Sequence, residues 1–455
     1  MDQPDRGTTG PDGSDTLLDS AGLESPWTEL QKLSAEVGGE GEQFGGSVAL
    51  DGELLLVGAE VDGPASQGVV HVFERVGGSW IQSATLMASD GVGGDRFGGA
   101  IALEAGTALI GARFADQVGS PAQGAVYVFV RQDGIWHQQA KLVAGDGEQF
   151  DQFGHSVAMS GNQGLVGAVS ADVGDEIDQG LAYVFLRSGT SWSEQARLAA
   201  TDGVSGDLFG TAVAIVGNTA LVGAPQAMVG DAFFQGAVYA FTASGGSWNE
   251  QQKLTSSGSN TGQKFGSTLS MDGDRVLIGA PEDGLAENFL RGAAYVFSRS
   301  GTTWSEAAKL TSQEGSDLDA FGSSVEISGD TVLVGAPNFD VGPNEFQGAA
   351  HVFVLQGGLW AEQAQLTAAD GRQFDRFGTS VSLEDGEAVI GALAAVVDGN
   401  ADQGAAYVFA MNGSAGGGPN LEAISVPVNS RMGLLLLALG IFALTFARTY
   451  RRPEY

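Results

Sequence analysis

Residues Phe209 to Leu254 read FGTAVAIVGNTALVGAPQAMVGDAFFQGAVYAFTASGGSWNEQQKL. Short runs rich in Val, Ile, Tyr and Phe alternate with Gly, Asn, Asp and Ser, the signature of strands joined by tight turns. Thr211 to Val216 and Thr219 to Gly223 flank Gly217-Asn218, a pair suited to the positive φ of a two-residue hairpin. A third run follows Gln235-Gly236 and a fourth carries Trp248. No helix-length 3.6 period occurs, so the stretch is a unit of four strands.

The unit repeats along the chain. The seven Trp stand at 27, 80, 136, 192, 248, 304 and 360, the first spacing 53 residues and the others 56. Phe-Gly recurs at Phe44, Phe97, Phe153, Phe209, Phe265, Phe321 and Phe377, and Gly-Ala at Gly58, Gly111, Gly167, Gly223, Gly279, Gly335 and Gly391. Hairpin turns are expected at Asp51-Gly52, Gly273-Asp274 and Gly329-Asp330 as well. Repeats of this length with four strands predict propeller blades rather than a helical solenoid. The last unit, ending near Phe409, has no Trp strand after it, whereas Trp27 to Leu33 precedes the first Phe-Gly unattached. Joining the two gives an all-β, seven-bladed β-propeller over 27–413, closed by the N-terminal strand, which removes two exposed strand edges.

Composition agrees and excludes other classes. The 71 Gly among 455 residues show no collagen period, and a hydrophobic content of 43% is that of a folded protein. Fifty-five acids against 21 bases give a net charge of -34, which argues against nucleic acid as partner. Without Cys there is no disulfide, thiol nucleophile or thiolate-bound metal.

Phe-Gly followed by Gly-Ala-Pro, strict at Gly223-Ala224-Pro225, Gly279-Ala280-Pro281 and Gly335-Ala336-Pro337, resembles the FG-GAP repeat of integrin α heads and bacterial surface proteins. The resemblance implies a seven-bladed propeller used for binding. The calcium loop common in integrin repeats is replaced by a two-residue turn, too short to wrap a cation.

A different acidic pattern, D-G-x4-D-x-F-G, pairs Asp90 with Asp95, Asp146 with Asp151, Asp202 with Asp207 and Asp370 with Asp375. Glu314 with Asp319 and Glu42 alone are variants, and the fifth unit has Gly258 and Gln263. Such carboxylates either hold Ca2+ with backbone carbonyls or build turns by accepting backbone amides. The loops between Gly-Ala and Gln-Gly vary most, which is where repeat proteins place binding. Asp172, Asp175, Glu176 and Asp178 crowd one loop, Asp398 and Asp402 lie in another, and Phe114, Phe233, Phe234, Phe339 and Phe346 are candidate aromatic anchors. An acidic rim with aromatic anchors suits a protein or glycan partner. His155 is the one loose catalytic candidate, and no nucleophile elbow, zinc-binding helix or phosphate loop is present.

The ends differ from the repeats. Residues 1–26 are polar and acidic without the regions of an export signal, so that signal is expected upstream of Met1. Residues 414–431 form a Gly-rich linker with Val426-Pro427-Val428-Asn429-Ser430, and 432–455 hold an apolar run, Met432 to Ala447, before Arg448, Arg451 and Arg452. As a helix that run spans about 24 Å, and the arginines place the propeller outside the membrane. The plan resembles bacterial PEP-CTERM and IPTL sorting signals, which implies handling by a sortase-like enzyme.

The expectation is a monomeric, cell-surface or secreted bacterial binding or adhesion protein without catalytic residues, with a transmembrane C-terminal helix. The alternatives are an extracytoplasmic enzyme with an acidic axial site and a structural envelope protein.

Overall fold

The computed structural model describes residues 25–412, apart from 118, 259–260 and 285–289. The expected transmembrane helix and sorting motif lie outside the described residues. Among those described, no helix is long and apolar enough to cross a membrane.

The chain forms seven four-stranded antiparallel sheets. Blade 4 is typical: Ala212–Val216, Thr219–Ala224, Ala237–Ser244 and Ser247–Leu254 pair in that order. Blades 1, 2, 3, 5 and 6 cover 47–86, 97–142, 153–198, 268–310 and 324–366. Blade 7 takes its first three strands from 377–411 and its fourth, Trp27–Leu33, from the other end of the chain.

Turn chemistry sets these hairpins. Val216 pairs with Thr219 around Gly217 at φ 55°, with only the first turn residue left-handed. Blades 2 and 7 instead place both Ala105-Gly106 and Asp385-Gly386 at positive φ. In blade 1 Asp51 pairs with Leu54, so the turn is Gly52-Glu53 and not Asp51-Gly52. Between third and fourth strands every blade carries one bulge, as at Val184/Phe185, and the closing strand repeats it at Glu29/Gln31.

Apolar cores lie between blades. Val213, Ile215 and Val222 of blade 4 pack on Leu165, Val184 and Leu198 of blade 3. Val389 and Val408 of blade 7 pack on Leu55, Val57 and Phe73 of blade 1, closing the ring. Second strands are sandwiched and buried, apart from a partly exposed first residue in blades 1, 3, 5 and 6, whereas fourth strands alternate between more and less buried residues. The Phe of each Phe-Gly sits against the two rings of Tyr-x-Phe, or of His-x-Phe in blades 1 and 6; Phe209 lies 5.6 Å from Tyr239 and 6.0 Å from Phe241, mostly edge-on.

The repeated glycines set the spacing of blades. A Cβ on Gly223 would stand 2.1 Å from the carbonyl oxygen of Gly266 in the next blade, and one on Gly391 would stand 1.9 Å from that of Gly45. Close backbone approach therefore requires Gly-Ala against Phe-Gly at each seam. Since strands alternate in direction, all hairpin turns lie on one face. The linkers between blades and the loops between second and third strands lie on the other, the loop face.

Candidate functional site

On the loop face two kinds of segment interleave at each seam. The amide three residues before Phe-Gly donates to the tip of the loop from the preceding blade: Phe150 to Pro121, Gly206 to Ile177, Gly262 to Phe233 and Phe374 to Glu345. The second Asp of the acidic motif locks the linker from inside. Asp95 accepts the amide of Val92, Asp151 that of Glu148, Asp207 that of Val204 and Asp375 that of Arg372, and Asp319 accepts that of Ser316.

The first Asp faces other partners. Asp202 accepts the Tyr239 hydroxyl at 2.8 Å and the Lys253 ammonium at 2.8 Å, both within the blade its linker enters. Asp90 does so with Tyr127 and Lys141, Asp146 with Tyr183 and Arg197, and Asp370 with Tyr407 and Lys32. Lys32 comes from the closing strand. The carboxylates of each pair thus serve separate donors. Among the described residues no group of three or more Asp, Glu or His side chains is placed to hold a metal ion.

Blade 5, with Gly258 at the first-Asp position, reaches the same contacts differently. Asp283, three residues after Gly-Ala's Ala, accepts from Tyr295 and pairs with Lys309 at 2.8 Å. It also accepts from Gln263, which replaces the second Asp. Blades 1 and 6 replace Tyr by His and the facing cation by Thr85 or Gln365. His71 then meets Asp62, and His351 meets Glu362 at 2.7 Å. Asp283→Ala, which strands buried polar groups, is expected to cost roughly 2–3 kcal/mol. Adding Gly258→Asp restores the acid used in blades 2, 3, 4 and 7 and should recover much of that loss in denaturant unfolding.

Asp202 on the one hand, and Asp151 and Asp319 on the other, titrate in opposite senses. Burial raises Asp202, but its bonds from Lys253 and Tyr239 outweigh that and leave it below the usual range. Burial, with nearby carboxylates, raises Asp151 to about 6, and burial also raises Asp319 to about 6. An unfolded Asp titrates near ~3.9, so between about pH 4 and 6 the folded chain holds more protons at these sites. Stability from Asp151 and Asp319 therefore falls as pH rises through that window. The contribution of Asp202 is present above about pH 4 and is lost on acidification through its lower folded pKa. Asp151→Asn with Asp319→Asn is expected to flatten the change in melting temperature between about pH 4 and 6.

The predicted binding residues divide. Asp178, Phe234, Phe346 and Asp402 occupy one repeat position, just before Gln-Gly, with left-handed φ of 52–54°. Asp172, Asp175 and Asp178 lie in one tight loop, with Asp172 accepting the amide of Asp178. Glu176 reaches across the seam to Ser205. Asp398 lies at the tip of the corresponding loop of blade 7, within the Val397–Asn400 bridge. Phe346 packs 5.8 Å from Phe374 beneath Arg376. Phe339 is not the exposed anchor expected: it is buried, 5.5 Å from His351, filling the room left where His replaces Tyr. His155 is held neutral, lowered to about 4 by burial and by Arg113.

Three residues escaped the sequence reading. Phe150, Leu318 and Phe374 stand three residues before Phe-Gly, where the other blades have Gly41, Gly94, Gly206 and Gly262. All seven positions have left-handed φ, 70–73° for the bulky three. A side chain there costs about 1–2 kcal/mol relative to Gly. Comparing that column of the repeat was the available signal.

Models of the FG-GAP repeat match residues 27–73, 80–129, 136–185, 192–241, 248–297, 304–353 and 360–409. Each match starts on the Trp strand of one blade and ends on the third strand of the next, the phase that leaves Trp27–Leu33 to complete blade 7. No curated protein matches the chain. On seven successive matches that together span most of its length, the chain belongs to the FG-GAP repeat family.

Proposed function

We propose that this protein is a non-catalytic binding module that takes a protein or glycan partner on its loop face. The carrying observation is the division of labour within the repeat. Recurring residues hold the ring together, whereas the side chains that differ between blades, such as Phe233 and Phe234, are exposed on the loop face. Acids with raised pKa are spread among seams, each bound to a local amide, which favours binding over reaction at one point. The acidic composition and the Pro-polar, apolar and Arg-rich order of residues 424–452 support export to a bacterial cell surface or release from it. In this reading the apolar run anchors the chain in the membrane, and a sortase-like enzyme handles the tail.

The test is display of the full chain on glycan and protein arrays, with and without Ca2+. Capture of a partner is expected, lost in Phe233→Ser/Phe234→Ser and kept in Ile135→Ser/Leu359→Ser, which alters exposed residues of the hairpin-turn face. No capture in either condition, or loss through the turn-face variant alone, would overturn the reading.

A further inference from the structure

We infer that the loop face docks a cationic, amphipathic polypeptide along an arc of five seams; this rests on the loop-face binding reading and names its partner class. At each seam from blades 2/3 to 6/7 a large apolar side chain stands out: Phe150, Ile177, Phe233, Leu318 and Phe374. Their exposures are 58%, 64%, 62%, 41% and 48%. They occupy two positions that face one another across the seam, the linker residue before Phe-Gly and the loop tip to which its amide donates. Where the linker has Gly206 or Gly262, the loop tip has Ile177 or Phe233; where the tip is Pro121 or Glu345, the linker has Phe150 or Phe374. At seams 7/1 and 1/2 the same two positions carry small residues, Ala401 with Gly41 and Ser66 with Gly94, and the exposed apolar groups of those linkers are the smaller Val37 and Val92.

Phe150, Leu318 and Phe374 hold a left-handed backbone at a glycine position. Their side chains stay 58%, 41% and 48% exposed, and Phe374 packs on Phe346, so burial offsets only part of the strain. Strain that packing only partly offsets is the kind retained at functional surfaces. Five exposed apolar groups, one at each of five successive seams, form a series rather than a scatter of single exposures.

Charge selects the partner. Exposed Asp116, Glu148, Asp175, Asp231, Asp317 and Glu345 flank the five seams. Of the bases in these loops and linkers, Arg113 and Lys264 are paired with Glu60 and Glu282, Arg291 donates to the carbonyl of Ser312, and Arg376 lies over Phe346. Arg372 alone is exposed. A ligand that matches this surface presents apolar side chains between Lys or Arg, as an amphipathic polypeptide does. Anionic lipid and acidic sugars are repelled, and aliphatic Ile177 and Leu318 give a neutral sugar no flat platform.

The test uses the full chain and labelled peptides of about 18 residues, long enough for several helical turns. One combines Lys and Leu in amphipathic order, a second replaces Leu by Ser at equal charge, and a third replaces Lys by Glu. At about 0.15 M salt, where long-range attraction is screened, the Lys–Leu peptide is expected to bind at least about tenfold tighter than the Lys–Ser peptide. Phe150→Gly/Leu318→Gly/Phe374→Gly restores the residue used in the other blades. It should melt at or above the parent temperature and lose that preference. Equal binding of the Lys–Leu and Lys–Ser peptides, retained preference in the triple variant, or lower melting with lost binding each overturns the inference. Preference for the Glu–Leu peptide or for anionic phosphatidylglycerol vesicles overturns it too. If an array partner is captured equally by parent and triple variant, this inference fails while the loop-face reading stands. If neither array nor peptide binds, both fail.

Discussion

A chain that begins at Ser34, lacking Trp27–Leu33, is expected to lose its cooperative unfolding transition and to aggregate. That strand supplies six paired residues to Ala406–Met411 and buries Trp27 and Leu33. Its Lys32 completes the Asp370–Tyr407 contact, and Glu29 accepts the amide of Ala369. Burial of the two side chains and six backbone pairs contribute on the order of 8 kcal/mol, similar to the whole stability of a domain. Loss of the strand also exposes the edge of blade 7, a template for pairing with other chains. Calorimetry and size-exclusion chromatography check the outcome, and a peptide of residues 25–36 added in trans should partly restore a folded monomer. An unchanged melting transition would show that the ring does not depend on this closure.

Gly223→Ala is expected to destabilise the ring by roughly 3 kcal/mol or more, at the upper end of overpacking costs. Its Cβ would meet the backbone oxygen of Gly266 at 2.1 Å, and a backbone atom cannot swing aside as a side chain does. Gly217→Ala is the contrast. It has φ 55° with nothing within 4 Å of the added carbon, so only the left-handed backbone penalty applies, about 1–2 kcal/mol. Thermal and urea unfolding should therefore rank Gly223→Ala well below Gly217→Ala. The reverse order would mean that seams relax readily and that Gly-Ala does not set blade spacing.

The repeat period, the strand count and the ring closure were legible in the sequence because turns and strands carry local signals. Trp27 announced itself by having no unit in front of it. The partners of Asp90 and Asp95 were not legible: the spacing does not say that one meets Tyr127 and Lys141 and the other the amide of Val92. Asp283 was hidden for a related reason. Its part depends on Gly258, which is remote along the chain yet serves the same tyrosine position. Phe339 misled because a loop residue beside a His can occupy the volume that Tyr fills in other blades. Phe150, Leu318 and Phe374 were overlooked because Phe-Gly beside them drew the attention, whereas their meaning lies in backbone sign.

Both ends of the ring meet on the hairpin-turn face, where the amide of Asn412 donates to the carbonyl of Pro26 at 2.7 Å. A partner on the loop face and a tether beyond Asn412 would pull in opposite directions along the strands. Ala405–Met411, the strand that takes this load, is hydrogen-bonded on one side to Glu387–Ala392 and on the other to Trp27–Leu33. Tension then acts in shear, and the bonds on both flanks resist together instead of opening one after another. The N-terminal strand that closes the circle thereby reinforces the strand at which the molecule would be held under force.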